Sequence, residues 1–191
     1  MRAAWTLSRR GHNVTLFEKN DKLGGQVNLW TSVNSRREQI GIINWLKDRI
    51  LEEKINVFLK TEACEKNLKN FDKIIFATGS IGVEHGWSML HPEKWDLNNL
   101  PGSELEHVVS YTQLLENNIK IPDNVALLDT MGSRQGAVIA EYLVQNGAKL
   151  VHFITQLSHP YSDLSSSRDW GKVHKMLKQK NVVYHVDCEV I

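Results

Sequence analysis

Asn13-Val-Thr-Leu-Phe-Glu18, then Lys22-Leu-Gly-Gly-Gln26, then Lys73-Ile-Ile-Phe-Ala-Thr-Gly79 are the stretches on which the fold turns. The first is a β-branched and aromatic run ending in a carboxylate. The second places two bare backbones side by side, and the third ends a hydrophobic run on Thr-Gly. In a dinucleotide-binding βαβ unit, a glycine turn lets the backbone approach a pyrophosphate and the next helix N-terminus stabilises its charge. An acid about 20 residues further on binds the ribose hydroxyls. Glu18 stands where that acid is expected. Counting back about 20 residues from it puts the first glycine near or before Met1. The expectation is therefore a chain that starts inside the first helix, without the first strand or its phosphate loop.

The neighbouring segments agree. Residues 2–10 read as a helix, with Ala3, Ala4 and Leu7 on one face, Arg9 and Arg10 in the last turn and Gly11 as a left-handed cap. Ile40, Ile43, Leu46 and Ile50 mark the apolar face of a helix spanning about Arg36 to Lys54. Asn56–Lys60 and Lys73–Ala77 read as strands, the latter closing on Thr78-Gly79. Residues 80–124 are less regular, contain three of the four prolines, and suggest loops with a helix near Tyr111–Asn117. Order returns with a strand at Val125–Leu128, a turn at Asp129–Gly132 and a helix from Gln135 to Asn146 closing on Gly147. A strand at Lys149–Thr155, a helix from Arg168 to Lys180 and a strand at Val182–Val186 complete the chain. Alternating strands and helices imply an α/β fold with a parallel sheet covered by helices. The division expected is a partial nucleotide-binding domain over 1–100 and a smaller Rossmann-like unit over 101–191, inserted after it and incomplete at its C-terminus.

The second unit repeats the strand–turn–helix order with a different turn. Asp129-Thr-Met-Gly-Ser-Arg-Gln-Gly136 keeps only Gly132 and Gly136 of a G-x-G-x-x-G pattern. Asp129 would meet a pyrophosphate with like charge, and Met131 would crowd it. The following strand ends in Ile154-Thr155, with no acid for a ribose and no basic residue for a 2′-phosphate. This half reads as lacking a nicotinamide site. Gly132–Gly136 is then a structural turn, or Ser133 and Arg134 receive some other anion.

Composition narrows the function classes. At 191 residues with 41% hydrophobic content, a chain of this size buries about 70% of its unfolded surface. The 23 basic and 22 acidic side chains give a net charge of +1, without the strong basic field of nucleic-acid or anionic-membrane binders. No apolar run approaches the roughly 18 residues that span a bilayer. Cys64 and Cys188 form no CxxC pair, which favours a reducing cytoplasm; each reads as a buried or incidental thiol. Eight histidines form no tight metal-ligand pattern, and His85 and His91, flanking Trp87, read as loop residues. Trp30, Trp45, Trp87, Trp95 and Trp170 read as core or interface anchors, Ser165-Ser-Ser167 as a polar loop, and Arg36-Arg37 as solvated.

Arg10-Gly-His-Asn-Val-Thr-Leu-Phe-Glu-Lys19, Leu23-Gly-Gly-Gln26, Ile74-Ile-Phe-Ala-Thr-Gly79 and Pro101-Gly102 with His107-Val-Val-Ser110 resemble one family. They are similar to the two-dinucleotide-domain flavoproteins, and within them to the C-terminal region of the trimethylamine dehydrogenase/2,4-dienoyl-CoA reductase (NADH:flavin oxidoreductase) family. The resemblance implies Rossmann-like parallel-sheet domains that bind FAD or ADP. Glu18 would hold the adenosine ribose, with Lys19 beside it. Gly24, Gly25 and Gln26 would line the dinucleotide, and Thr78 and Gly79 would close the site. Complete members also carry FMN in a TIM barrel and an iron–sulfur cluster, whose residues have no counterpart here. The Asp129 turn is similar to the amine-dehydrogenase branch, which passes electrons to an electron-transferring flavoprotein.

The expected function is the nucleotide-binding portion of a cytoplasmic flavin-dependent oxidoreductase, inactive alone and without catalytic or metal-binding residues of its own. Its partner would be a missing N-terminal part of the same protein or a separate subunit, with no nucleic acid and no membrane involved. A non-catalytic docking module is the alternative. A Rossmann-type methyltransferase shares the glycine loop and the acid but not the Ala-Thr-Gly strand.

Overall fold

The structure, a computed structural model, describes residues 1–82, 86–88, 90, 100–117, 119–166 and 169–188. His85, His91, Trp95, Ser167 and Arg168 lie outside the described residues. The chain divides into two compact units, Met1–Ser80 and Ile81–Ile191.

The first unit opens with helix α1 (Arg2–Ser8) and strand β1 (Thr15–Phe17). Between them Gly11 takes φ +87°, and the backbone N–H of His12 reaches the Leu7 carbonyl at 3.2 Å. This left-handed turn closes the helix where Gly11 is expected to do so. Helix α2 (Gln26–Trp30), a 3₁₀ turn (Asn34–Gln39) and helix α3 (Ile40–Glu52) then lead to β2 (Asn56–Phe58) and the short α4 (Glu65–Leu68). β1 and β2 pair in parallel, with Leu16 opposite Val57, so the helices between them form a crossover. Ile43, Leu46 and Ile50 face inward from α3, as their spacing predicts. The core gathers Ala4, Leu23, Ile50 and Ile55, with Met1, Val14, Leu16 and Val57 packed against it.

Two expectations are corrected here. The helix expected from Arg36 begins as 3₁₀ and turns α only at Ile40. The Arg36 N–H bonds the carbonyl of Val33, a fully buried residue that anchors the tighter turn. Lys73–Ala77 is not a strand. A strand needs a ladder partner for its N–H and C=O groups, and among the described residues the sheet of this unit contains β1 and β2 alone. Ile74, Ile75 and Phe76 are accordingly 45, 59 and 77% exposed.

The second unit places α5 (Tyr111–Glu116) before a β-α-β-α-β succession. Ser110 caps α5 by a capping box with Gln113. The succession is β3 (Asn124–Asp129), α6 (Arg134–Gln145), β4 (Leu150–Thr155), α7 (Asp169–Lys178) and β5 (Val182–His185). All three strands are parallel, in the order β3-β4-β5. Along β4, Val151, Phe153 and Thr155 are fully buried while Leu150, His152 and Ile154 are half-buried, the period of two expected when helices cover one face more closely. Phe153 meets Tyr161 edge-on at 5.6 Å, and Leu164 and Leu177 complete the buried layer. Each such side chain contributes about 1.5–3 kcal/mol by leaving water.

Candidate functional site

In the first unit the site builds from the carboxyl end of β1. The Glu18 N–H donates to the Phe58 carbonyl, and the Glu18 carbonyl accepts from the Thr61 N–H, both at 2.9 Å. Its backbone is thus fixed by β2 and the turn after it. The side chain accepts the Asn20 N–H at 2.9 Å through Oε1, which orients the carboxylate and leaves it half-buried. Glu18 also lies close enough to the start of α1 for its charge to act on the Met1 amino group, whose pKa burial lowers and Glu18 partly restores. Acid and helix start are therefore on the same side of the unit. Lys19 is placed differently, in an exposed ion pair with Glu62 at 3.2 Å.

Leu23, buried in the core cluster beside Leu16, delivers the glycine pair next to β1. Gly24 has φ +124° and Gly25 +52°, conformations that side-chain-bearing residues avoid. At Gly24 a Cβ would stand 2.6 Å from Asn28 Nδ2, and the same Asn28 amide donates to the Leu23 carbonyl at 3.1 Å. At Gly25 and Gly79 (φ +74°) a Cβ would meet nothing within 4 Å. These two positions present bare backbone to open space, which is the surface a flat ligand needs. The Gln26 side-chain amide donates to the Ser80 carbonyl at 2.6 Å across fifty-four residues of sequence. That bond brings the Gly24-Gly25 loop and the Thr78-Gly79 turn together. Asn28 and Ser80 were not anticipated as site residues. Asn28, one helical turn beyond Gly24, is the signal that an explicit loop reading would use.

The second turn is filled from within. Asp129, at the end of β3, accepts the N–H groups of Met131 at 3.1 Å and Gly132 at 3.0 Å through Oδ1. It is 7% exposed, and Oδ2 is buried without a partner. Burial pushes its pKa up to about 6, against the lowering effect of those N–H groups; the charge of Asp163 adds to the rise. Ser133 caps α6 by accepting the Gln135 N–H at 3.2 Å, and Arg134 lies 3.9 Å from Asp169. Both side chains anticipated as anion receivers thus have partners in the fold.

Elsewhere, the structure groups residues the sequence left apart. Trp170, His174 and Tyr184 stack at 4.8 and 4.9 Å, and the Tyr161 hydroxyl donates to that of Tyr184 at 2.7 Å. Burial raises the pKa of both tyrosines above the usual phenol range, and burial with the Lys178 charge lowers that of His174. His152 Nδ1 and His185 Nε2 approach to 2.9 Å on neighbouring strands. Among the described residues no three His, Cys, Asp or Glu side chains gather as a metal site, and no helix is long and apolar enough to cross a membrane. Cys64 is exposed at the start of α4, an incidental thiol. Trp45 is 39% exposed and meets Trp5 edge-on at 5.2 Å, with the Arg2 guanidinium 4.5 Å from the Trp5 ring. Arg36 is half-buried rather than solvated, with its Nε enclosed.

Comparison with known proteins bears on the family and the fold. Residues 1–52 match the family described as an NAD(P)-binding Rossmann-like domain. The chain is 29% identical over 189 residues to N,N-dimethylglycine/sarcosine dehydrogenase of Chromohalobacter salexigens, covering 98% of this chain and 26% of that protein. It is 30% identical over 152 residues to a probable N-methylproline demethylase of Rhizobium meliloti, covering 78% and 20%. Among solved structures, a 2-naphthoyl-CoA reductase complex matches at a TM-score of 0.81 with 22% identity, over 96% of this chain and 26% of that one. Histamine dehydrogenase from Rhizobium sp. 4-9 matches at 0.79 with 18% identity, over 96% and 28%. The structural likenesses establish the fold, and the chain spans about a quarter of the length of these relatives.

Proposed function

The chain belongs with the C-terminal nucleotide-binding region of the trimethylamine dehydrogenase/2,4-dienoyl-CoA reductase (NADH:flavin oxidoreductase) family, and from that premise we propose that its first unit takes the ADP half of a dinucleotide, FAD or ADP itself. The observation that supports this reading is the Gln26–Ser80 bond, which joins two glycine-bearing turns with open backbone at Gly25 and Gly79. Glu18 would accept the ribose hydroxyls, and Gly24, Gly25 and Gln26 would line one side of the nucleotide. Thr78 and Gly79 would close the other side. Lys19, held by Glu62, would contribute through its charge alone. A bound flavin supplies the redox chemistry in such proteins. The part of this chain is to bind and orient, and none of its described side chains is proposed to transfer a proton or hydride.

By this reading the chain is inactive alone and works with the remaining part of a larger flavoprotein, in the same chain or in a separate subunit. The FMN and iron–sulfur cluster of complete members would reside in that other part, and an electron-transferring flavoprotein is the proposed acceptor. A docking role is the second reading, favoured by Ile74, Ile75 and Phe76, which are apolar, exposed and without a strand partner. Such an edge invites pairing with another strand.

Calorimetry with ADP and with FAD separates the two. The binding reading predicts saturable affinity tighter than millimolar for at least one of them, weakened about tenfold or more in Glu18→Gln through loss of a charged hydrogen bond. Millimolar or weaker affinity for both ligands contradicts it and leaves the docking reading.

A further inference from the structure

We infer that the Asp129 carboxylate is the resident anion of the turn between β3 and α6, and that it closes the second unit to phosphate-bearing ligands. A strand–turn–helix of this type points successive N–H groups at one spot in front of the helix, where a phosphate would sit. Here the Met131 and Gly132 N–H groups point at Asp129 Oδ1, at 3.1 and 3.0 Å. Asp129 is 7% exposed as a residue and its Oδ2 is buried, so it is not a surface group that swings aside. Its second oxygen reaches inward to Gly136, where a Cβ would come within 2.7 Å of Oδ2 and 2.9 Å of Phe153 Cζ. Only a glycine at 136 makes room for it.

The outer side of the same turn is covered too. A Cβ on Gly132 would stand 2.1 Å from Leu157 Cδ1 and 2.7 Å from Ser162 Oγ. The Ser162 hydroxyl and the Asp163 N–H both donate to the Gly132 carbonyl, at 3.2 and 3.1 Å. A pyrophosphate would have to displace Leu157, compete for two occupied N–H groups and accept the nearby charges of Asp129 and Asp163. Nicotinamide dinucleotides and other pyrophosphates are the ligand class excluded. Whatever nucleotide the protein uses binds elsewhere. The inference stands independently of the reading of Glu18.

The test uses the whole chain, labelled for amide NMR, with inorganic phosphate and NADH as probes. In the wild type, neither probe shifts the Met131 and Gly132 amides through the millimolar range. In Asp129→Gly, phosphate shifts these two amides saturably, with at least about tenfold tighter affinity than in the wild type. Phosphate binding to wild-type Met131 and Gly132 as tight as in the variant overturns the inference, and so does a folded variant that binds none. Should Asp129→Gly not fold, the wild type decides: both amides must move together, with one midpoint, as the Asp129 carboxylate ionises. Amides that stay still while the carboxylate titrates overturn it. Loss of ADP binding in Glu18→Gln would leave each of these readouts unchanged.

Discussion

Asp129→Asn tests the energetics of the buried carboxylate most sharply. In the unfolded chain Asp129 ionises near 3.8, whereas burial raises it to about 6 in the fold. A raised carboxylate stabilises the fold only while protonated. Its contribution is therefore complete below pH 3.8 and is lost as the pH rises through about 6. The difference of 6 − 3.8, or 2.2 pH units, at 1.36 kcal/mol per unit, amounts to about 3 kcal/mol. Asparagine keeps an oxygen acceptor for the Met131 and Gly132 N–H groups and does not titrate. It buries an amide Nδ2 where Oδ2 stood, at a cost of about 1–3 kcal/mol that is the same at every pH. The stability difference, variant minus wild type, should then rise by about 2 kcal/mol between pH 4 and pH 7, the rest of the change lying below pH 4. Urea unfolding followed through the amide signals of β4 reads it, since this strand is central to the second unit. Stability curves that run parallel across this range would show that Asp129 is not held above its ordinary range.

Other outcomes follow from the same contacts. Gly24→Ala, with its positive φ and the Asn28 amide in the way, should destabilise the first unit by about 1–3 kcal/mol, read by thermal unfolding. Gly25→Ala, whose Cβ meets open space, should cost less. Tyr161→Phe removes the 2.7 Å bond to Tyr184 and should lower the stability of the second unit by about 0.5–1.5 kcal/mol, with the ring packing on Phe153 retained. Phe76→Asp, at a side chain 77% exposed, should change stability by no more than about 0.5 kcal/mol. In light scattering it should reduce any association of the chain; a loss of thermal stability instead would show that Phe76 is packed.

The elements with a complete local signature were legible in the sequence. Gly11, the inward face of α3 and Gly147 after α6 each follow from the residue types at their positions. Lys73–Ala77 shows the limit. Its composition is that of a strand, but pairing is a property of two segments, and the described sheet of this unit offers it no partner. The site divides in the same way. Glu18 and the glycines are visible as residue types at given spacings. The Gln26–Ser80 bond joins positions far apart in the chain and emerges only on folding. Asp129 was visible as an acid in a glycine turn, hostile to a phosphate. That its own oxygen takes the turn's N–H groups depends on a side-chain orientation no spacing encodes. Of the two alternatives open for Cys64, a buried or an incidental thiol, the exposed start of a short helix is the incidental one.

Nucleotide binding by the first unit is tested by titration calorimetry of ADP into the wild type and Glu18→Gln. Saturable binding tighter than millimolar is expected, weakened about tenfold or more by the substitution. Equal affinities in the two proteins, or millimolar and weaker binding of both ADP and FAD to the wild type, would contradict it.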